Sequence, residues 1–290
     1  MPELCLGLPK GSLQDSTFSL FRAAGWDFNV SSRSYYPSVN DPEIRAMLAR
    51  PQELSRYVER GVMDMAITGL DWTLENGSDV LVMERLVYAK ATNQPVRWVL
   101  AVPEDSDIRS PADLQGRVIS TEVVNLVGKY LEKHGVSARV EFSHGATEVK
   151  VPHLADAIVD ITETGSSLRA NRLRVVDTVA ESVTVAIANR QAVMDPWKKA
   201  KIDALIVMLK GALTAREKAL IKLNARRDRL AEILRVLPSL NSPTVNELSN
   251  REWTAVETIV DAGATRSLIP ELKRLGAEGI LQLSVNVIIP

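Results

Sequence analysis

Short apolar runs alternate with amphipathic helical stretches along the first two thirds of the chain, and this alternation constrains the fold more than any other feature. The opening run, residues 4–8, has the unbroken hydrophobicity of a strand buried on both faces. Pro9, Lys10 and Gly11 form a loop, and Ser12 and Asp15 then stand at capping-box-like spacing. Leu13, Thr17, Leu20, Phe21 and Ala24 fall on one helical face, and Gly25 stops it. The pattern returns as a strand over 43–48, a loop at 49–51, a helix ending near Gly61, a strand over 63–68, and Gly69 opening a further helix. Such repetition predicts an α/β fold with a mostly parallel sheet covered on both faces.

A second alternating unit begins with the apolar strand 96–102, closed by Pro103. A strand at 117–120, a helix over 123–134, strands at 138–142 and 157–162, and one or two Val-rich strands within 174–188 continue it. The long helix at 198–213 is expected to cross back to the first unit. The reading is two lobes with a cleft between them: residues 1–92 with 185–212 in lobe I, and 93–184 in lobe II. Residues 213–290 have another rhythm: strand 219–224, helix 227–237, strands 244–248 and 254–260, helix 267–275 and strand 279–289. This βαββαβ order is that of a ferredoxin-like module.

The chain has 290 residues, and 35 basic against 36 acidic side chains leave a formal charge of -1. That balance excludes the electrostatic footprint of a general nucleic-acid or membrane binder, so an anionic ligand must be held by local groups. The single Cys5 allows no internal disulfide, no basic start leads into an apolar run, and no stretch reaches the length of a membrane helix. A cytoplasmic location is expected. His134, His144 and His153 show no metal-ligand spacing. Trp26, Trp72, Trp98, Trp197 and Trp253 are read as core or interface anchors, and the charged run 226–229 as the start of a solvated helix face.

Chemistry concentrates at residues 157–171, where a buried strand ends in acidic residues and Thr164-Gly165-Ser166-Ser167 turns into a helix. Main-chain N–H groups at a helix start attract anions, Gly165 permits close approach, and three hydroxyls add donors. The turn suits a sugar 5-phosphate, with Asp160 and Glu163 placed for ribose hydroxyls or a metal ion. The plainer alternative is that the hydroxyls cap a helix and the acids flank a strand.

Here the sequence resembles a known family, ATP phosphoribosyltransferase in its long form. The carriers are residues 6–13 (LGLPKGSL), 50–52 (RPQ), 66–71 (AITGLD), 160–171 and 270–281 (PELKRLGAEGIL). The resemblance implies a two-lobed catalytic unit similar to periplasmic binding proteins, followed by a ferredoxin-like, ACT-like regulatory domain. It implies transfer of the phosphoribosyl group of phosphoribosyl pyrophosphate to N1 of ATP, with Mg²⁺ on the pyrophosphate, as the first step of histidine biosynthesis. Asp160, Glu163, Thr164, Gly165, Ser166, Ser167 and Leu168 would hold the phosphoribosyl group, and Lys10, Gly11, Arg50 and Asp71 the nucleotide side. Histidine, as feedback inhibitor, would meet Asn224, Leu240, Thr244, Ile259 and Gly279. Dimers assembling into hexamers are implied as well. The chain departs from the family pattern at Ser166-Ser167, which keeps the hydroxyls, and at Arg172, where Gly is common.

Other readings make different demands. A type I phosphoribosyltransferase acting on a free base usually carries two adjacent acids at the strand end, whereas Asp160 and Glu163 are three apart. A transport receptor on the same two-lobed fold needs an export signal, and a transcriptional sensor needs a helix-turn-helix. A catalytically silent regulatory subunit would have lost the phosphate loop.

Overall fold

The computed structural model describes residues 2–31, 33–89, 94–238 and 242–289. In chain order it begins with β1 (Leu4–Pro9), α1 (Gln14–Ala23), a ribbon of β2 (Phe28–Asn29) and β3 (Ser38–Val39), and β4 (Ile44–Ala49). There follow α2 (Pro51–Glu59), β5 (Met65–Gly69), α3 (Leu70–Asn76) and β6 (Leu81–Leu86). Next come β7 (Val96–Pro103), β8 (Val118–Thr121), α4 (Val124–His134), β9 (Arg139–Phe142), β10 (Ala157–Thr162), α5 (Ser166–Ala170) and β11 (Leu173–Ser182). The chain returns through β12 (Thr184–Ala188), α6 (Arg190–Met194) and α7 (Pro196–Ala215).

Two five-stranded sheets result, ordered β4-β1-β5-β12-β6 and β11-β7-β10-β8-β9. Each holds a parallel trio, β4-β1-β5 in one and β10-β8-β9 in the other, and two antiparallel strands. The expectation of mostly parallel sheets is corrected accordingly. The strands that carry the chain between sheets run back against their neighbours, as β12 does between β5 and β6. The edge strand β6 and the short ribbon were not read from the sequence. Glu84 and Arg85 interrupt the apolar pattern of β6, as befits a strand bordered on one side only.

Pro51, at the first position of α2, has the φ a helix needs there and no N–H to leave unpaired. The helix sets Leu54 and Val58, both 0% exposed, into a cluster with Cys5, Met63, Ala66, Val185 and Ile187. In the second sheet Trp98, Leu100, Val102, Ile119 and Val159 pack under Val127, Tyr130 and Leu131 of α4. No helix among the described residues is long and apolar enough to cross a membrane.

The C-terminal part comprises β13 (Lys218–Arg226), α8 (Leu230–Val236), β14 (Thr244–Glu247), β15 (Trp253–Asp261), α9 (Thr265–Arg274) and β16 (Glu278–Ser284). Its antiparallel sheet has the order β14-β15-β13-β16. Alternation on β13 and β15 is strict, with Ile221, Leu223, Val256 and Val260 turned toward α8 and α9. Two details differ from the expectation. The strand β16 ends at Ser284, because the next residues leave the ladder and Ile288 donates its N–H to Gly211 O at 3.0 Å. The run 226–229 lies at the strand end and turn before α8, not on the helix. By contacts, one compact unit extends to Ile206 without Ala23–Gly25, and the other takes them with Val207 onward, so the division falls inside α7.

Arg172 has φ 53°, in the left-handed region that a side chain disfavours. Its N–H donates to Arg169 O and its carbonyl accepts from Glu104, so the turn is held from both sides. Arg172→Gly is therefore expected to stabilise the chain by about 0.5 kcal/mol, the relief of strain exceeding the added freedom of the unfolded chain. A lower Tm for that variant in thermal denaturation would contradict this account.

Candidate active site

The turn after β10 is built by its own polar groups. Gly165 precedes α5 with φ 73°, and a Cβ there would lie 2.9 Å from Arg169 Nη1. The Gly165 N–H donates to Thr162 Oγ1 at 2.8 Å, so this amide closes the turn and does not face a ligand. The amides of Ser166 and Ser167 open the helix, where no intrahelical acceptor exists. The Thr164 hydroxyl donates to Ser166 Oγ at 3.0 Å, the Ser167 hydroxyl donates to the Glu148 carboxylate, and Arg169 Nη1 donates to Thr164 O at 3.1 Å. Leu168 differs from its neighbours: it is 2% exposed and packs with Val99, Ala101, Ile158 and Leu173. Only its main chain is left for a ligand.

Asp160 sits on β10 with its Oδ1 accepting the Ile161 N–H at 2.7 Å. Burial, reinforced by the negative charges of Glu148 and Glu122, pushes its carboxyl up to about 6 against that hydrogen bond. A carboxylate under such pressure gains from any donor or cation that enters.

The facing wall comes from the first sheet. The β1–α1 loop carries Lys10, whose Nζ lies 4.0 Å from the centre of the Tyr35 ring. Gly11 lies beside Arg50, the residue before α2, since a Cβ on Gly11 would sit 3.4 Å from Arg50 Nη1. Asp71, in the first turn of α3, is only 3% exposed. Its Oδ2 accepts the Trp98 indole N–H at 2.7 Å, its main-chain N–H donates to Ser182 Oγ at 3.0 Å, and its Oδ1 is buried without a hydrogen-bond partner. Burial raises its carboxyl above the ordinary carboxylate range, and the bonds from Trp98 and Ser182 oppose that rise.

A cavity of about 620 Å³ opens between these walls. Lys10, Gly11, Arg50 and Asp71 line it from one side and Asp160, Glu163, Thr164, Ser166 and Ser167 from the other. That volume suits a nucleotide-sized ligand. Sequence reading missed Glu122, Ser182 and Thr184 in the lining, as well as Tyr88. None belongs to a motif, and only their place at strand ends would have singled them out. Trp72 and Trp98 also line the cavity and meet edge to face at 5.9 Å, pairing across a gap of 26 positions that shows no sequence periodicity.

In the C-terminal unit, Asn224, Thr244 and Ile259 share the sheet face opposite the helices. Asn224 Nδ2 lies 3.3 Å from where a Cβ on Gly279 would be. Thr244, level with Lys222, is displaced from that pair by about 7 Å along the strands, and Ile259, level with Leu220, by about 13 Å. Asn224, Thr244 and Ile259 thus share one face of the sheet, spread along its strands. Leu240 lies outside the described residues.

Comparison with known proteins gives these features a family. The ATP phosphoribosyltransferase profile matches residues 50–211, and the profile described as HisG, C-terminal domain, matches residues 215–287. The ATP phosphoribosyltransferase of Pelodictyon phaeoclathratiforme is 54% identical over 286 residues, covering 99% of this chain and 97% of the relative. That of Pelotomaculum thermopropionicum is 53% identical over 288 residues, covering 99% and 100%. A chain of the ATP phosphoribosyl transferase (HisG:HisZ) complex from Thermotoga maritima superposes with a TM-score of 0.61 at 26% identity, over 71% of this chain and 98% of that one. A putative L-cystine ABC transporter from Listeria monocytogenes shares the fold at TM-score 0.50 and 13% identity, over 73% and 93%. With both walls of the cleft carrying the resembling segments, and with such identity over nearly the whole length, the chain belongs to the ATP phosphoribosyltransferase family in its long form, the enzymes that open histidine biosynthesis.

Proposed function

We propose that the cleft joins N1 of the ATP adenine to C1′ of phosphoribosyl pyrophosphate. The observation that carries this reading is the cavity lined on one side by Lys10 and Arg50 and on the other by Asp160, Glu163 and the Thr164–Ser167 hydroxyls. The bond from C1′ to the pyrophosphate oxygen breaks, pyrophosphate leaves with the electron pair, and adenine N1 supplies the pair for the new bond, with inversion at C1′. No protein nucleophile is needed. The protein's task is to align two substrates and stabilise separating charge.

In this reading the Thr164, Ser166 and Ser167 hydroxyls and the first amides of α5 receive the 5-phosphate, with Leu168 contributing main chain and Gly165 setting the bend of the turn. Asp160 and Glu163 face the ribose hydroxyls. Lys10 and Arg50, beside Gly11, face the nucleotide phosphates, and Asp71 forms the wall behind the base. Mg²⁺ would arrive on the pyrophosphate, with Asp160 and Glu163 the nearest proposed carboxylates, and would withdraw charge from that leaving group.

The proposal extends to lobes bounded as 1–92 with 185–212 and 93–184, to a cytoplasmic location, and to dimers assembling into hexamers. It also includes histidine inhibition through residues 213–290, at the sheet face bearing Asn224, Thr244 and Ile259 and at Gly279.

Mass spectrometry of a reaction holding ATP, phosphoribosyl pyrophosphate and Mg²⁺ is expected to show phosphoribosyl-ATP, and added histidine to lower its yield. No product under any histidine-free condition would sink the reading. Gly165→Asp, which places a carboxylate and a Cβ at φ 73°, is expected to abolish product formation while the chain stays folded, and normal turnover would mean the turn is misassigned.

Asp160 offers a test through pH. With its folded carboxyl raised to about 6, its protonated form favours the fold, a contribution present at pH below the ordinary 3.8 and lost as pH rises through about 6. Asp160→Asn escapes that loss. The variant should gain stability over the parent at pH 7.5, by at most about 3 kcal/mol, and gain little at pH 4. Its turnover should fall on the order of 100-fold, and equal stability gains at both pH values would refute the burial argument.

A further inference from the structure

The helix α4 begins without a cap of its own. Val123 occupies the cap position, offers no side-chain acceptor, and no acidic residue follows in the first turn. The acceptors come instead from α3, which follows β5 of the other sheet. Glu75 is 9% exposed, and its two carboxylate oxygens accept the Asn125 N–H at 3.0 Å and the Leu126 N–H at 2.9 Å. Asn125 Nδ2 returns a hydrogen bond to Glu75 O at 2.9 Å. One turn earlier on α3, Asp71 accepts from Trp98 of β7, and Trp72 packs edge to face on the same indole. A single short helix of the first lobe therefore holds the second lobe at three places: an indole, a helix start, and Ser182 at the end of β11.

We propose that Glu75 is a positioning residue that fixes the separation between the two substrate half-sites. The inference rests on the transferase reading above, in which one substrate is held by Lys10 and Arg50 and the other by the turn after β10. Each half-site is built on its own sheet, so neither needs Glu75 to bind its ligand. Joining N1 to C1′ needs both at once. Glu75 is not among the residues lining the cleft cavity; it lines an adjoining cavity that shares Gln52, Trp72 and Glu122 with the cleft. It acts through the geometry of α4, and its carboxylate, placed at the positive end of a helix dipole, makes charge-assisted bonds stronger than a neutral cap would.

The distinguishing measurement separates binding from turnover. In Glu75→Gln, whose amide can accept one of the two N–H groups, kcat is expected to fall about 10-fold, and in Glu75→Ala about 100-fold. The Kd of ATP alone and of phosphoribosyl pyrophosphate alone, by calorimetry, should each stay within about twofold of the parent, since each ligand meets one lobe. If Glu75→Gln does not fold, Asn125→Ala, which removes only the returned side-chain bond, carries the same test with a smaller loss in kcat. Unchanged kcat, or Kd values that weaken in step with kcat, would overturn the inference. Amide exchange at Asn125 and Leu126 needs no substrate and should quicken about tenfold in Glu75→Ala; unchanged exchange would also overturn it. An inactive parent enzyme would count against the transferase reading alone, leaving the exchange rates to judge Glu75.

Discussion

One residue, Val183, separates a strand of one sheet from a strand of the other, and the arrangement of the cleft depends on that joint. The strand β11 ends at Ser182 on the edge of the second sheet, and β12 begins at Thr184 in the interior of the first. Val183 O accepts the Leu70 N–H at 3.0 Å, and Ser182 Oγ accepts the Asp71 N–H at 3.0 Å. The start of α3 is thereby tied to the crossing itself. Two sheets of unrelated register meet at one defined place, and the loops after their parallel strands face a common space.

That space concentrates burial and charge in unequal ways. Asp71 is almost wholly enclosed and is oriented by Trp98 and Ser182, so it resembles a structural acid with one face toward the cavity. Asp160 is less enclosed; burial first, and then the negative charges of Glu148 and Glu122, raise its carboxyl. Two aspartates of the cleft thus serve different ends because one is held on one oxygen by Trp98 and the other is buried with only the Ile161 N–H donating to it and like charges adding to the cost.

Much of this was legible in the sequence, and the reasons are particular. Apolar runs such as residues 4–8 and 98–102 announced buried strands, because a strand covered on both faces has no polar side to show. The turn at Thr164-Gly165-Ser166-Ser167 announced itself because its residue types lie next to one another. What stayed hidden was set by distance along the chain. Glu75 meets the start of α4 50 positions later, and Trp98 meets Asp71 27 positions away, with no local pattern to mark either pairing. Leu168 misled for the opposite reason: it stands inside a polar motif, yet helical geometry turns its side chain into the core. Strand direction was likewise beyond local pattern, since β12 reads as apolar whichever way it runs.

The position of β12 also orders events during synthesis. All five strands of the second sheet lie within residues 96–182, a contiguous length that can pair as soon as it has left the ribosome. The first sheet cannot close then. Among the described residues its strand β6 pairs only with β12, so a strand emerging at residues 81–86 waits about 100 residues for its neighbour. Until then β5 and β6 present unpaired edges to whatever else the nascent chain meets. Of the two five-stranded sheets, the one begun first is thus the one closed last.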